Sequence, residues 1–383
     1  MASDEQLMAS ANRVKILQNQ SRRNLGLPLQ YKKDPGCSPA LLKLWVSLPS
    51  KPYCDKLVSI YFQYFERTMR VLHRPTFMRQ YEKLWHDGEC GVGSSSSILA
   101  LLTSVMTRAY LLDDTTDTND EEAYKTYLKC TAISHVQAWL GELGRKQRTE
   151  LSTLQVEILV LLSGGISQSD PDKLWSSCGT LLRSAIIMGL HLDPAKIKLI
   201  SPYQMEMRKR LWATVLEMEV QASIMTGMPL IITDLQSYSP VPANLNDEDF
   251  GESSAKLPPP RPLCDLTDSL YQICLAMSLP QRLKAFSLVQ RSIPDVNEAI
   301  ETGRAIQKCL NSLPSTLDLR HSQPAIGDRG GLLHRVLLDF YIRRSLLYLY
   351  KPFLFGYQEY EGKVAAWYPS QDAQTDFDQY VLI

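Results

Sequence analysis

An all-α fold, a large multi-helix bundle-like domain with Pro-rich loop insertions, is predicted by three observations. Apolar residues recur at three- and four-residue steps from Cys54 onward, glycine and proline stop signals follow those runs, and strand signals are scarce. The best strand candidate, Leu230-Ile231-Ile232-Thr233, is too short to anchor a sheet, and no repeat recurs at a fixed period.

Residues 1–50 are expected to form a flexible polar and basic segment, with Arg13, Lys15, Arg22, Arg23, Lys32 and Lys33 supplying the bias. Arg22-Arg23 and Lys32-Lys33 have the composition of a marginal bipartite import signal, and a solvated tail is the alternative reading. Pro35, Gly36 and Pro39 precede an apolar run from Leu41 to Leu48. Residues 51–383 are expected to be the helical body. In its first helix Leu57, Val58, Tyr61, Phe62 and Phe65 share one face, and Arg74-Pro75 reads as its stop, because proline disfavours the α-region at the residue before it. Phe77 can then pack back on that aromatic face. Ile98–Leu112 follows, and then the acidic stretch Asp113–Glu122, read as a solvated cap whose last carboxylates complement the next helix start.

Further helices are predicted at about 121–140, 150–163, 172–190, 203–226, 265–289, 294–311 and 329–350. In the third of these, Leu174, Trp175, Cys178, Leu181, Leu182, Ala185 and Met188 make an apolar stripe, with Gly189 and Pro194 beyond its end. Gly227 and Pro229 end the helix that begins near Tyr203. Trp175 and Trp212 are expected to bury large apolar bodies. Between about 237 and 263 periodicity stops, and Pro258-Pro259-Pro260-Arg261-Pro262 reads as a stiff extended connector laid over the surface.

Composition narrows the function classes. The 383 residues carry 41 Lys+Arg against 41 Asp+Glu, so charge alone does not suit the chain to coating nucleic acid. Its eight Cys lie far apart, which reads as reduced thiols rather than a disulfide frame. No secretory signal is visible, and no apolar run approaches the roughly 18 residues of a spanning helix.

Chemistry-bearing motifs are missing. There is no phosphate-binding glycine loop, no His-Glu-x-x-His, no Cys-x-x-Cys and no Gly-x-Ser-x-Gly. Glu217 and Glu219, two apart on a helix, point in different directions and cannot flank one bond by themselves. Glu206 and Arg210 read as a surface ion pair worth a few tenths of a kcal/mol. His73 reads as a hydrogen-bonded histidine at a helix end, with no nucleophile to activate. No catalytic, cofactor-binding, metal-binding or DNA-contacting residue is therefore assigned, no cofactor is expected, and the chain is expected not to be an enzyme.

Three stretches together carry a resemblance. They are VLHRPTF, Val71 to Phe77; LWSSCGTLLRSAIIMGLHLDP, Leu174 to Pro194; and EMRKRLWATVLEMEVQASIMTGMPLII, Glu206 to Ile232, continuing through Asp234 to PVPANLNDED, Pro240 to Asp249. In order and approximate spacing the chain from about 50 to 350 resembles the middle homology region of the fungal-specific transcription factors. That is the helical domain usually found downstream of a binuclear zinc-cluster finger.

The resemblance implies a nuclear transcriptional regulator, pathway-specific for a secondary-metabolite gene cluster, with no catalytic residue. The family's finger needs six Cys in two close triplets, whereas residues 1–50 hold only Cys37, so that module is expected to be absent here. The expected partners are a DNA-bound transcription factor or the transcription machinery, with DNA touched only indirectly or weakly and no membrane contact. A small-molecule effector is the alternative role. Met205, Met207, Met218, Met225 and Met228 would then line an adaptable pocket or simply pack the core. A truncated product of a full zinc-cluster factor is the other alternative. No heptad run precedes residue 50, so no coiled-coil dimer is expected.

Overall fold

The structure is a computed structural model and describes residues 39–87, 96–114, 119–164, 171–194, 197, 200–232, 241–291, 295–320 and 330–354. The basic pairs Arg22-Arg23 and Lys32-Lys33 lie outside the described residues. Twelve α-helices and no strand form among those described. In chain order they are α1 (Pro39–Val46), α2 (Lys51–Tyr64), α3 (Arg74–Asp87), α4 (Ser96–Ala109), α5 (Asn119–Cys130) and α6 (Ala132–Glu142). Then come α7 (Leu151–Gly164), α8 (Pro171–Ile187), α9 (Pro202–Thr226), α10 (Leu270–Arg291), α11 (Val296–Asn311) and α12 (Gly331–Leu354). No helix among the described residues is long and apolar enough to cross a membrane.

The helix starts follow local chemistry. Ser201 caps α9 by accepting from Gln204 N at 3.2 Å, while the Gln204 side chain accepts from Ser201 N at 3.3 Å and Pro202 opens the first turn. Gly227 closes α9 in the left-handed region, at φ 70°, where a Cβ would be strained. Asp295 caps α11 by accepting from Asn297 N and Glu298 N.

Two apolar clusters organise the packing. The larger joins buried residues of α1 to α9 with Leu279 and Phe286 of α10. The smaller lies among α10, α11 and α12 around Leu275, Ile306, Leu338 and Ile342. At Gly303 of α11 an added Cβ would run into the Tyr350 hydroxyl of α12, so a larger residue there requires that ring to move. α9 runs through the middle: Leu211 and Trp212 are buried on one side, Val215 and Val220 further along.

Several expectations are corrected. Pro39–Val46 is a helix whose Ala40, Leu41 and Leu44 enter the core, so packing begins before residue 50. Arg74-Pro75 starts a helix, α3, rather than ending one; α2 stops ten residues earlier, at Tyr64. The proline that blocks one helix is equally suited to the first turn of the next, where its missing N–H costs nothing. Phe77 does pack on the aromatic face, 5.6 Å from the Phe62 ring centre.

The helix expected at 121–140 is two, parted at Thr131. Asp113 is buried instead of solvated, and binds Lys56 Nζ at 2.7 Å and Tyr53 Oη at 2.9 Å. Trp175 is only half-buried and donates to the Pro229 carbonyl at 2.9 Å, whereas Trp212 is buried as expected.

Candidate functional site

The family-like stretches meet around one turn. After α2 the chain from Phe65 to His73 leaves helical geometry, so its N–H groups need other partners. Glu66 supplies two of them: one oxygen of its buried carboxyl group accepts from Val71 N and Leu72 N, both at 2.9 Å, and its second oxygen meets Tyr61 Oη at 2.8 Å. Burial pushes the Glu66 carboxyl up to about 8, against the pull of Arg70.

Arg70 then reaches Asp247. Asp247 is the hub: Arg210 Nη1 donates to it at 2.6 Å and Arg74 N at 2.9 Å, while its own N–H donates to Asp268 at 3.0 Å. Burial pushes its carboxyl up, but the Arg70 and Arg210 guanidiniums outweigh that and hold it well below the usual carboxylate range. His73 Nε2 donates to the Asp247 carbonyl at 2.8 Å, which leaves Nδ1 to accept from Thr76 Oγ1 at 3.0 Å. Burial lowers the His73 pKa, so the neutral ring suits this arrangement. Its faces pack on Tyr203 and Phe250, with centroids 5.1 and 4.9 Å away.

Glu206 and Arg210 are therefore not a surface pair. Both are fully buried, 3.2 Å apart, and Glu206 also accepts from Ala243 N at 3.0 Å. A four-residue step fixes only that the two side chains are neighbours; burial comes from the 241–250 segment folding over them. Within the 237–263 stretch, residues 241–250 are largely packed inward, whereas residues 259–262 of the proline run are exposed, as expected of a connector laid over the surface. Asn244, Leu245, Asp247 and Phe250 are buried, and Asn244 Nδ2 donates to the carbonyls of Arg261, Pro262 and Asp265. The alternation of apolar Leu245 and Phe250 with turn formers was the available signal for this.

A second buried network ties α9 to the last helices. Arg282 of α10 grips Glu217 with two bonds of 2.8 and 2.7 Å, Glu217 accepts from Gln221 at 2.7 Å, and Arg344 of α12 donates to Gln221 at 3.0 Å. Glu219 points elsewhere and accepts from Ile231 N at 3.1 Å. The Glu217–Arg282 pair and the Gln221–Arg344 bond thus join α9 to α10 and α12. Among the described residues, no group of three or more His, Cys, Asp or Glu is arranged to hold a metal ion.

Beside the first network lies a cleft of about 460 Å³, between the 72–80 segment, the start of α7 and the start of α9. Leu72, Phe77, Leu101 and Met207 lie behind its wall, almost wholly buried, and His73, Gln155 and Arg208 bring polar atoms. Of the five methionines considered from sequence, Met207 lines this cleft; Met218 is buried in the core and Met225 is exposed. The size falls in the range of sites that enclose a drug-sized molecule.

A family model described as the fungal specific transcription factor domain matches residues 58–323. The chain is 32% identical over 316 residues to the transcription factor opdR of Penicillium oxalicum, covering 80% of this chain and 39% of that protein. It is 27% identical over 322 residues to the equisetin cluster transcription factor eqxF of Fusarium heterosporum, covering 81% and 45%. To the Zn(2)-C6 fungal-type transcription factor mpsB of Macrophomina phaseolina it is 26% identical over 323 residues, covering 80% and 42%. The chain thus spans about two fifths of the length of these curated relatives. No solved structure matches it.

Proposed function

This chain belongs to the fungal specific transcription factor domain family, and on that premise we propose that it regulates transcription of a secondary-metabolite gene cluster from the nucleus through protein contacts. The observation that carries the reading is the extent of the match: residues 58–323 take in the second half of α2, the helices α3 to α11, the whole Asp247 network and the Glu217–Arg282 pair, so what is shared is most of the helical body. The family model and the relatives are described as transcription factors, which supports a role other than catalysis.

In this reading the body engages a DNA-bound factor or the transcription machinery, and base edges are read by a finger outside these 383 residues. Two features support that division of labour. The eight Cys of the sequence contain no close triplet, and the formal charge is zero, which offers phosphates no broad attraction. The test is to delete the gene and measure transcripts of neighbouring biosynthetic genes. A coordinated change of either sign is expected; unchanged transcripts under producing conditions contradict the pathway role. Affinity capture from nuclei is expected to recover a finger-bearing protein, and its absence contradicts the protein-contact route.

A second reading, that the body also senses a small molecule, is favoured by one specific observation, the cleft beside His73. A ligand of the folded state must raise the melting temperature.

A further inference from the structure

α6 ends at Glu142 and α7 begins at Leu151, and residues 144–150 between them are all exposed. The turn reads Gly144-Arg145-Lys146-Gln147-Arg148-Thr149-Glu150, with three cations in the four residues before a hydroxyl. Arg148 is engaged within the fold: its guanidinium donates to the Leu143 carbonyl at 3.1 Å and to the Leu140 carbonyl at 2.9 Å, closing the end of α6. Arg145 and Lys146, four and three residues before Thr149, have no carboxylate partner among the described residues. Both charges are therefore open to a partner.

The hydroxyl is open as well. Thr149 Oγ1 donates to the Lys146 carbonyl at 2.8 Å, an exposed bond that water can replace. The backbone bonds of the turn run from Arg148 N to Gly144 O at 3.1 Å, Thr149 N to Lys146 O at 3.2 Å and Glu150 N to Gln147 O at 3.1 Å. They too lie at the surface, and the side-chain tie to α7 is Thr153 Oγ1 donating to the Gln147 carbonyl at 2.7 Å. Opening such a segment into the extended form that fits an enzyme's groove costs little, because few buried contacts are lost. Exposed Thr126, Ser176 and Thr180 contrast with it, since they lie inside α5 and α8, where the helix holds their backbone.

We propose that Thr149 is a phosphorylation site for a protein kinase whose acidic groove reads Arg145 and Lys146. Kinases choose substrates by such charge patterns. In the transfer, the Thr149 hydroxyl oxygen bonds to the γ-phosphorus of a nucleoside triphosphate as that phosphorus releases the β-phosphate oxygen. The hydroxyl proton goes to a carboxylate of the kinase, and the nucleoside diphosphate leaves. The product group carries a charge of about −2, so the segment from Glu142 to Glu150 changes from net positive to net negative. The phosphate stands two residues before α7, whose first N–H groups lack intrahelical partners and favour an anion.

The test uses the whole 383-residue chain, expressed in a filamentous fungus, purified with phosphatase inhibitors and mapped by peptide mass spectrometry. Phosphate is expected on Thr149. Arg145→Gln combined with Lys146→Gln is expected to lower the occupancy of Thr149 about tenfold, the ratio that lost charge-assisted contacts support. Lys146→Arg keeps the charge and is expected to leave the occupancy unchanged. Both side chains are exposed, so each variant is expected to keep the urea midpoint of the parent chain.

Thr149 recovered without phosphate, whether or not other hydroxyls carry it, overturns the site. Occupancy that the double substitution leaves unchanged overturns recognition through Arg145 and Lys146.

Discussion

Two buried arginines, Arg70 and Arg210, depend on the single carboxylate of Asp247. Removing its carboxylate leaves Arg70 and Arg210 short of counter-charge in the interior. Asp247→Ala is predicted to lose about 3–5 kcal/mol of unfolding free energy, measured by urea titration, the range found when one partner of a buried pair is deleted. Glu66 behaves differently. Its folded carboxyl keeps a proton up to about 8, whereas the unfolded one releases it in the ordinary carboxylate range.

Between those limits the folded state binds the extra proton, so stability falls as pH rises, by up to about 1.4 kcal/mol per pH unit. Glu66→Gln imitates the protonated form and is predicted to flatten the pH dependence of the urea midpoint between pH 5 and 8. An unchanged slope contradicts this assignment. Asp247 contributes in the opposite sense: its depressed pKa stabilises the fold above the ordinary carboxylate range, and that stability is lost as acid protonates it.

Helix ends and helix contacts carry their own predictions. Ser201→Ala removes the acceptor for Gln204 N and is predicted to cost about 1 kcal/mol in thermal or urea unfolding. Gly303→Val places carbon where the Tyr350 hydroxyl lies and is predicted to cost about 1–3 kcal/mol, through forced separation of α11 and α12. At this scale the sequence was informative where caps and periodicity agreed. α9 was expected at 203–226 and occupies 202–226, because Ser201, Pro202 and Gly227 mark its ends chemically. α3 was missed because Arg74-Pro75 carries two meanings, and only the preceding break at Tyr64 distinguishes them. The Glu206–Arg210 pair was legible as a contact and illegible as a buried one. What covers it is Ala243 to Asp247, about forty residues on, and helical spacing contains no information about such a partner. The cleft was likewise beyond reach, since its lining comes from α3, α4, α7, α9 and the loop residue Glu252.

For the molecule as a whole, α9 is the shared beam. Its Glu206 and Arg210 hold the 241–250 segment, and its Glu217 holds α10, which through Gln221 also meets α12. Glu217→Ala is predicted to strand Arg282 and cost about 3–5 kcal/mol, whereas Glu217→Leu combined with Arg282→Met is predicted to cost less, since the desolvation of both charges disappears with them. Such a body suits a regulator that works by presenting a surface, with buried ion pairs that hold α9 to the 241–250 segment and to α10. The most direct test of that account is a selection from a pool of random duplexes with the purified 383-residue chain at physiological ionic strength, read by sequencing the bound fraction. The account predicts no enriched sequence, because promoter reading belongs outside these residues; recovery of a defined motif contradicts it.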